Sequence, residues 1–197
     1  MTDHVMLDLE TWGTNSNAAI MSIGAVKFDP QGFAPATRHL DKFYVAVDLQ
    51  SCINVGLQMD VDTLHFWMND TDQDKSEARK AYYKTLKFDL SLALQGFIDW
   101  FSPPSERPEG GAVISLPVWG NGSDFDNVIL GNAYKRSNMK APWRYSHNRC
   151  FRTMKSLVGA GDLEPDREGV HHNALDDAVH QTVWLQRIVK HHRLRVV

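Results

Sequence analysis

The sequence predicts an α/β fold, a mixed β-sheet flanked by helices. Three observations predict it. Short runs rich in apolar and β-branched residues come first and are joined by turn residues. Patterns of helical periodicity come next. A further buried strand is interleaved with the later helices. Strands first, then strand and helix mixed, is the order expected of an α/β layer architecture.

His4–Leu9 reads as the first strand and Ala18–Phe28 as the second, joined by the turn-like TWGTNSN. Phe43–Asp48 reads as a third, so the three predict a hairpin-linked meander. In DVDTLHFWMND, residues Leu64, Trp67 and Met68 recur at helical spacing, and Phe66 and Trp67 read as core. Residues 88–101 carry a second helical pattern, ended by SPPSERPEGG, a Pro/Gly-rich surface loop. AVISLPVWGN reads as another buried strand. SDFDNVILGNAYKRS reads as a helix starting near Ser123 or Asp124. Residues 150–158 predict a short helix and residues 173–189 the last one. Residues 1–197 read as one domain, with 187–197 a basic C-terminal tail.

The 197 residues suffice for a sizeable core, and 43% hydrophobic with 23% charged residues is ordinary globular composition. A net charge of −3 argues against a protein that wraps nucleic acid over its whole surface, yet it allows a local basic groove. The two cysteines, Cys52 and Cys150, lie far apart and read as reduced thiols of a cytoplasmic protein. No signal peptide is expected, because acids interrupt the N-terminal apolar run, and no membrane span, because no stretch approaches ~18 uninterrupted apolar residues.

Those acids are the first functional signal. Asp8 and Glu10 stand two apart on a strand, so both side chains project from one face. An unpaired buried carboxylate costs several kcal/mol, so a pair needs a neutralising partner. A divalent metal with oxygen ligands supplies one. Solvent-facing strand-end acids are the bland alternative. Asp124 and Asp126 lie where a buried strand turns into a helix. Asp124 suits an N-cap, and Asp126 could face the first pair. In VHHNALDDAVHQ, two histidines precede a helix that opens with Asp176 and Asp177, and periodicity does not say which aspartate faces the site.

D-x-E, then F-D-x-x-x-L, then H-x4-D, in this order, resembles the DEDDh 3′→5′ exonucleases, which have a ribonuclease H-like fold. ETWGTNSNAAIMSIGAVKFD and WGNGSDFDNVIL are most similar to a phage and bacterial subgroup that includes the T-even phage exonuclease A and a mycobacterial exoribonuclease. The resemblance spans roughly residues 5–185. It implies that Asp8, Glu10, Asp126 and Asp177 bind two divalent ions, Mg²⁺ or Mn²⁺, and that His172 is the general base. It selects Asp126 over Asp124, and His172 with Asp177 over His171 with Asp176. It is consistent with a homodimer in the cytoplasm of a bacterial or phage-infected cell.

Substrate contacts are expected at Thr11, Trp12, Phe125, Arg149 and Arg152. Trp12 either stacks on the 3′-terminal base or covers the core. From Asn127 to Gly161 there is no Asp or Glu, while Lys135, Arg136, Lys140, Arg144, Arg149, Arg152 and Lys155 are interleaved with aromatics. Basic residues track a phosphate backbone and aromatics stack unpaired bases. The expected activity is removal of mononucleotides from single-stranded 3′ ends, with DNA slightly favoured over RNA. A binding module without catalysis is a second reading. An endonuclease or phosphodiesterase using the same metal pair is a third, since one fold hosts several activities.

Overall fold

The computed structural model describes residues 3–32, 40–69, 71–107, 109 and 115–196. Its centre is a six-stranded sheet. Strands β1 (His4–Thr11), β2 (Ile20–Phe28) and β3 (Asp41–Val47) form the antiparallel meander that the sequence predicts. β4 (Lys87–Phe88) pairs parallel to β3 at one edge. β5 (Val118–Gly120) pairs parallel to β1, and β6 (Asn148–Cys150) parallel to β5. The order across the sheet is β4-β3-β2-β1-β5-β6. The strand expected from AVISLPVWGN is thus shorter, and its residues 112–114 lie outside the described residues, as do parts of the 102–111 loop.

Alternation along β1 divides the core in two. Val5, Leu7 and Leu9 face one cluster with Ile23, Ala25, Leu94, Phe97 and Leu130. Met6 faces the other, with Val26, Trp119, Phe151, Ala178 and Leu185. Asp8 and Glu10 share the face of Met6. α7 (Ala174–His191) covers this second face. α4 (Leu90–Phe101) and α5 (Asp126–Arg136) cover the first. α6 (Phe151–Val158) follows β6 directly.

Four successive helices open on the same device. Asp48 caps α1 (Leu49–Asn54), Asp60 caps α2 (Val61–Met68), Asp72 caps α3 (Gln73–Lys84) and Asp89 caps α4, each through a side-chain oxygen accepting a backbone N–H. α1 and α3 are not anticipated by periodicity. α1 has six residues, and α3 buries only Ser76, Ala78 and Tyr82, so neither carries an apolar stripe.

Leu64 and Met68 are exposed, because α2 lies on the rim of the site rather than in the core. The basic stretch from Arg187 begins inside α7, which continues to His191. Both cysteines are free thiols. No helix among the described residues is long and apolar enough to cross a membrane.

Candidate active site

Asp8 and Glu10 sit opposite Gly24 and Ser22 of β2. The absent side chain of Gly24 makes room for the helix that completes the site. A Cβ there would stand 2.1 Å from the Ala174 carbonyl carbon, so only glycine lets α7 start directly on the sheet. Asn173 caps α7 by accepting from the N–H groups of Leu175 and Asp176. One turn later, Asp177 reaches the acids of β1. Carboxylate oxygens of Asp8, Glu10 and Asp177 lie within 4.8 Å of one another.

Asp126 joins from the other side. It is the first residue of α5 and is buried, and its Oδ1 accepts the Leu9 N–H at 3.1 Å. That amide lies on β1 between Asp8 and Glu10. Asp124 is not the N-cap; Phe125 occupies that position without a side-chain cap bond. The reason is that α5 begins two residues later than the sequence suggests.

The tertiary structure also separates the two aspartates of α7. Asp176 turns back and accepts the Val170 N–H at 2.8 Å, against Gly169, whose φ is +83°. Asp177 faces the cleft. Its Oδ2 accepts the His172 N–H at 3.0 Å and its Oδ1 is paired with Arg167. His172 holds a left-handed backbone, φ +63°. Its ring stacks on His171 at 4.1 Å and meets Phe66 edge-on at 5.2 Å.

The electrostatics arise from this crowding. Desolvation, then repulsion from the neighbouring carboxylates, raises the Asp8 and Glu10 pKa values well above the ordinary carboxylate range. Burial pushes Asp126 up to about 7, against the hydrogen bond from Leu9. Burial, helped by His171, lowers the His172 pKa and favours its neutral form. Gln181, one turn beyond Asp177, donates to Asp8 Oδ1 at 2.8 Å. Clustered, partly desolvated oxygen donors held by amide groups suit a hard divalent cation, which removes the repulsion that protonation otherwise relieves.

The acidic cleft has a volume of about 460 Å³. Beside it lies a mainly apolar slot of about 310 Å³, whose walls include Thr11, Thr63, Phe66 and Trp67. Leu9, Glu10, Phe125 and His172 line both. Of the residues expected from sequence, Asp8, Glu10, Asp126, Asp177, His172, Phe125 and Arg152 therefore converge, with Thr11 in the adjoining slot. Two do not. Trp12 is 4% exposed and packs edge-on against Tyr82 in the core, so it has no free face for a base. Arg149 donates to the carbonyls of Ser146 and Asn148 and is not among the residues lining either cleft. Phe66, read as core, is 37% exposed in the slot, with Lys75 Nζ 3.8 Å from its ring centroid.

Lys155, one of the basic residues expected to track phosphate, also lines the acidic cleft, as do Arg167 and Gln181, which sequence reasoning missed. Gln181 had a signal, since i+4 from Asp177 puts it on the same helix face. Arg167 had none, because it reaches Asp177 across an irregular turn.

A family model described as the 3′-5′ exoribonuclease Rv2179c-like domain matches residues 3–189. No curated protein matches the chain. Among solved structures, the nuclease domain of 3′hExo, a DEDDh family member bound to rAMP, aligns with TM-score 0.60 and 14% identity, covering 99% of this chain and 96% of that one. S. pombe Pop2p in its Mg²⁺- and Mn²⁺-bound form aligns with TM-score 0.59 and 16% identity, covering 96% and 83%. The E. coli ExoI–ssDNA complex aligns with TM-score 0.58 and 14% identity, covering 98% of this chain but 41% of that one. At these identities the structural likeness carries the fold, the ribonuclease H-like α/β fold of DEDDh exonucleases. The chain belongs to the Rv2179c-like 3′-5′ exoribonuclease domain family and is a 3′-5′ exonuclease.

Proposed function

We propose that the chain hydrolyses the terminal phosphodiester of single-stranded 3′ ends and releases mononucleotides, using two divalent cations and His172 as general base. The observation that carries this reading is the convergence of Asp8, Glu10 and Asp177 oxygens within 4.8 Å, beside a mainly apolar slot of about 310 Å³. Asp8, Glu10, Asp126 and Asp177 would hold the ions. The Mg²⁺- and Mn²⁺-bound form of Pop2p supports those two metals. When bound, such ions supply Lewis-acid charge stabilisation and acidify water.

The chain's own groups do the positioning. The Leu9 amide and Gln181 fix Asp126 and Asp8 in advance of substrate. Phe66, Phe125 and Leu9 offer apolar walls for the terminal base, and Thr11 stands at the slot. Arg152, Lys155 and Arg167 give the acidic cleft its cations, which suit phosphate oxygens. His172, at the junction of cleft and slot, accepts a proton from the attacking water as the new O–P bond forms and the bond to the leaving 3′-oxygen breaks. Its lowered pKa keeps the acceptor nitrogen free at neutral pH.

The single-stranded DNA held by E. coli ExoI supports a single-stranded substrate. The activity named for the matching family supports RNA rather than the slight DNA preference expected from the sequence. The test uses 5′-labelled single strands of matched DNA and RNA, with Mg²⁺, Mn²⁺ or EDTA, beside Asp8→Ala. The expected result is a metal-dependent ladder shortening from the 3′ end, faster on RNA and absent in the variant. Internal cuts, or cleavage by Asp8→Ala at the wild-type rate, would overturn the reading.

A further inference from the structure

A third cleft, of about 270 Å³, opens on the far side of the loop after β1, between Asn17, Asn132, Lys135 and Arg136. Its chemistry is the opposite of the acidic cleft's: two cations and two carboxamides, with no acid among the lining residues. Lys135 and Arg136 are exposed, and among the described residues neither forms an ion pair. Their place in the last turn of α5 complements the helix dipole. That accounts for their charge. It does not account for a cavity completed by two side-chain amides.

Two elements tie this cleft to the active site. α5 carries Asp126 in its first turn and Lys135 in its last, which at 1.5 Å per residue puts them about 14 Å apart along the axis. The loop after β1 has Thr14 on the apolar slot and Asn17 on the basic cleft. Three residues of chain span at most about 11 Å. Both ends of that loop are held. The Thr14 N–H donates to Asp60 Oδ2 at 2.7 Å, and Asn132 Nδ2 donates to the Ser16 carbonyl at 2.6 Å. The basic cleft is therefore a fixed neighbour of the slot, a short stretch of strand away.

The donor set suits a phosphodiester. Lysine offers a compact charge, arginine a planar fork matched to phosphate oxygens, and the amides further N–H donors. Resting on the exonuclease reading above, we propose that this cleft grips a backbone phosphate of the same strand, upstream of the terminal nucleotide. Turnover then depends on strand length.

The test compares the full chain with a Lys135→Ala/Arg136→Ala variant and with the charge-retaining Lys135→Arg/Arg136→Lys variant. KM is measured on a dinucleotide and on a 12-mer of the sugar that wild type degrades faster. Anisotropy of the labelled 12-mer is measured in EDTA across a salt series. A charge-assisted hydrogen bond to a phosphate oxygen is worth about tenfold or more in affinity. The ratio of 12-mer to dinucleotide affinity should fall about tenfold or more in the double alanine variant, and its salt slope by about 0.7, as for one phosphate of a single strand. The charge-retaining variant should keep the wild-type ratio. An unchanged ratio, or equal 12-mer anisotropy in EDTA, would overturn the proposal. A wild type that shortens no strand would instead sink the exonuclease reading, and the anisotropy arm still decides the cleft.

Discussion

Arg167 and Asp177 form an ion pair across the mouth of the acidic cleft, and the His172 N–H takes the second oxygen of the same carboxylate. Arg167 thus serves as the counter-ion of a cluster otherwise built from like charges. Losing one partner of a partly buried charged hydrogen bond costs about 1–3 kcal/mol. Arg167→Gln should lower stability by that amount in EDTA and by clearly less in saturating Mg²⁺, where an ion takes over the neutralising role. Thermal melts under both conditions read this directly. Equal losses with and without metal would show that Arg167 is structural only.

Protons and metal should compete for the same carboxylates. Asp8 and Glu10 have strongly raised pKa values and Asp126 sits at about 7, so between roughly pH 4 and 7 the folded protein binds more protons than the unfolded chain. With more protons bound in the native state, metal-free stability falls as pH rises through that window. His4 opposes this. Burial lowers its pKa from 6.5 to about 4, so its own contribution rises with pH over that range. Burial lowers the His172 pKa as well, so it acts in the same sense as His4, and the three strongly raised carboxylates outweigh the two imidazoles. The Tm in EDTA should therefore drop from about pH 5 to about pH 8, and added Mg²⁺ should raise Tm more at the higher pH. A Mg²⁺ shift that ignores pH would mean that the ion binds elsewhere.

Gly24 has no room for a side chain. The 2.1 Å approach of a would-be Cβ to Ala174 is to backbone, which has no rotamer to yield. Gly24→Ala should cost about 3 kcal/mol or more and lift the start of α7 away from β1. Urea unfolding measures the first effect. The second appears as a smaller Mg²⁺-induced Tm shift in the variant that remains folded, since Asp177 rides on α7.

Trp12 and Phe66 exchange the roles that their sequence contexts suggest. Trp12→Ala empties a core site and should cost about 3–5 kcal/mol, with little change in KM at temperatures where the variant is folded. Phe66→Ala removes a half-exposed slot wall, so it should cost under about 1 kcal/mol and raise KM for the 3′ end. Paired urea melts and steady-state assays separate the two. A KM defect confined to Trp12→Ala would reverse the assignment.

The meander, the class of fold and the order of the acidic motifs are legible in the amino-acid sequence. Those features are local. Two-residue alternation places Asp8 and Glu10 on one face of β1, and turn residues space β1 from β2 without reference to the rest of the chain. The limits of local pattern are equally physical. Asp176 and Asp177 are equivalent by periodicity, and only the turn at Gly169 and Val170 commits Asp176 to a backbone N–H and leaves Asp177 in the cleft. Trp12 is an aromatic beside a motif in sequence but a core residue in space, because Tyr82 of a helix without an apolar stripe packs on it. Arg167 and Lys135 sit in irregular or solvent-facing contexts where no period applies. Their neighbours come from distant segments, and only the packing of α5 and α7 on one sheet brings those segments together.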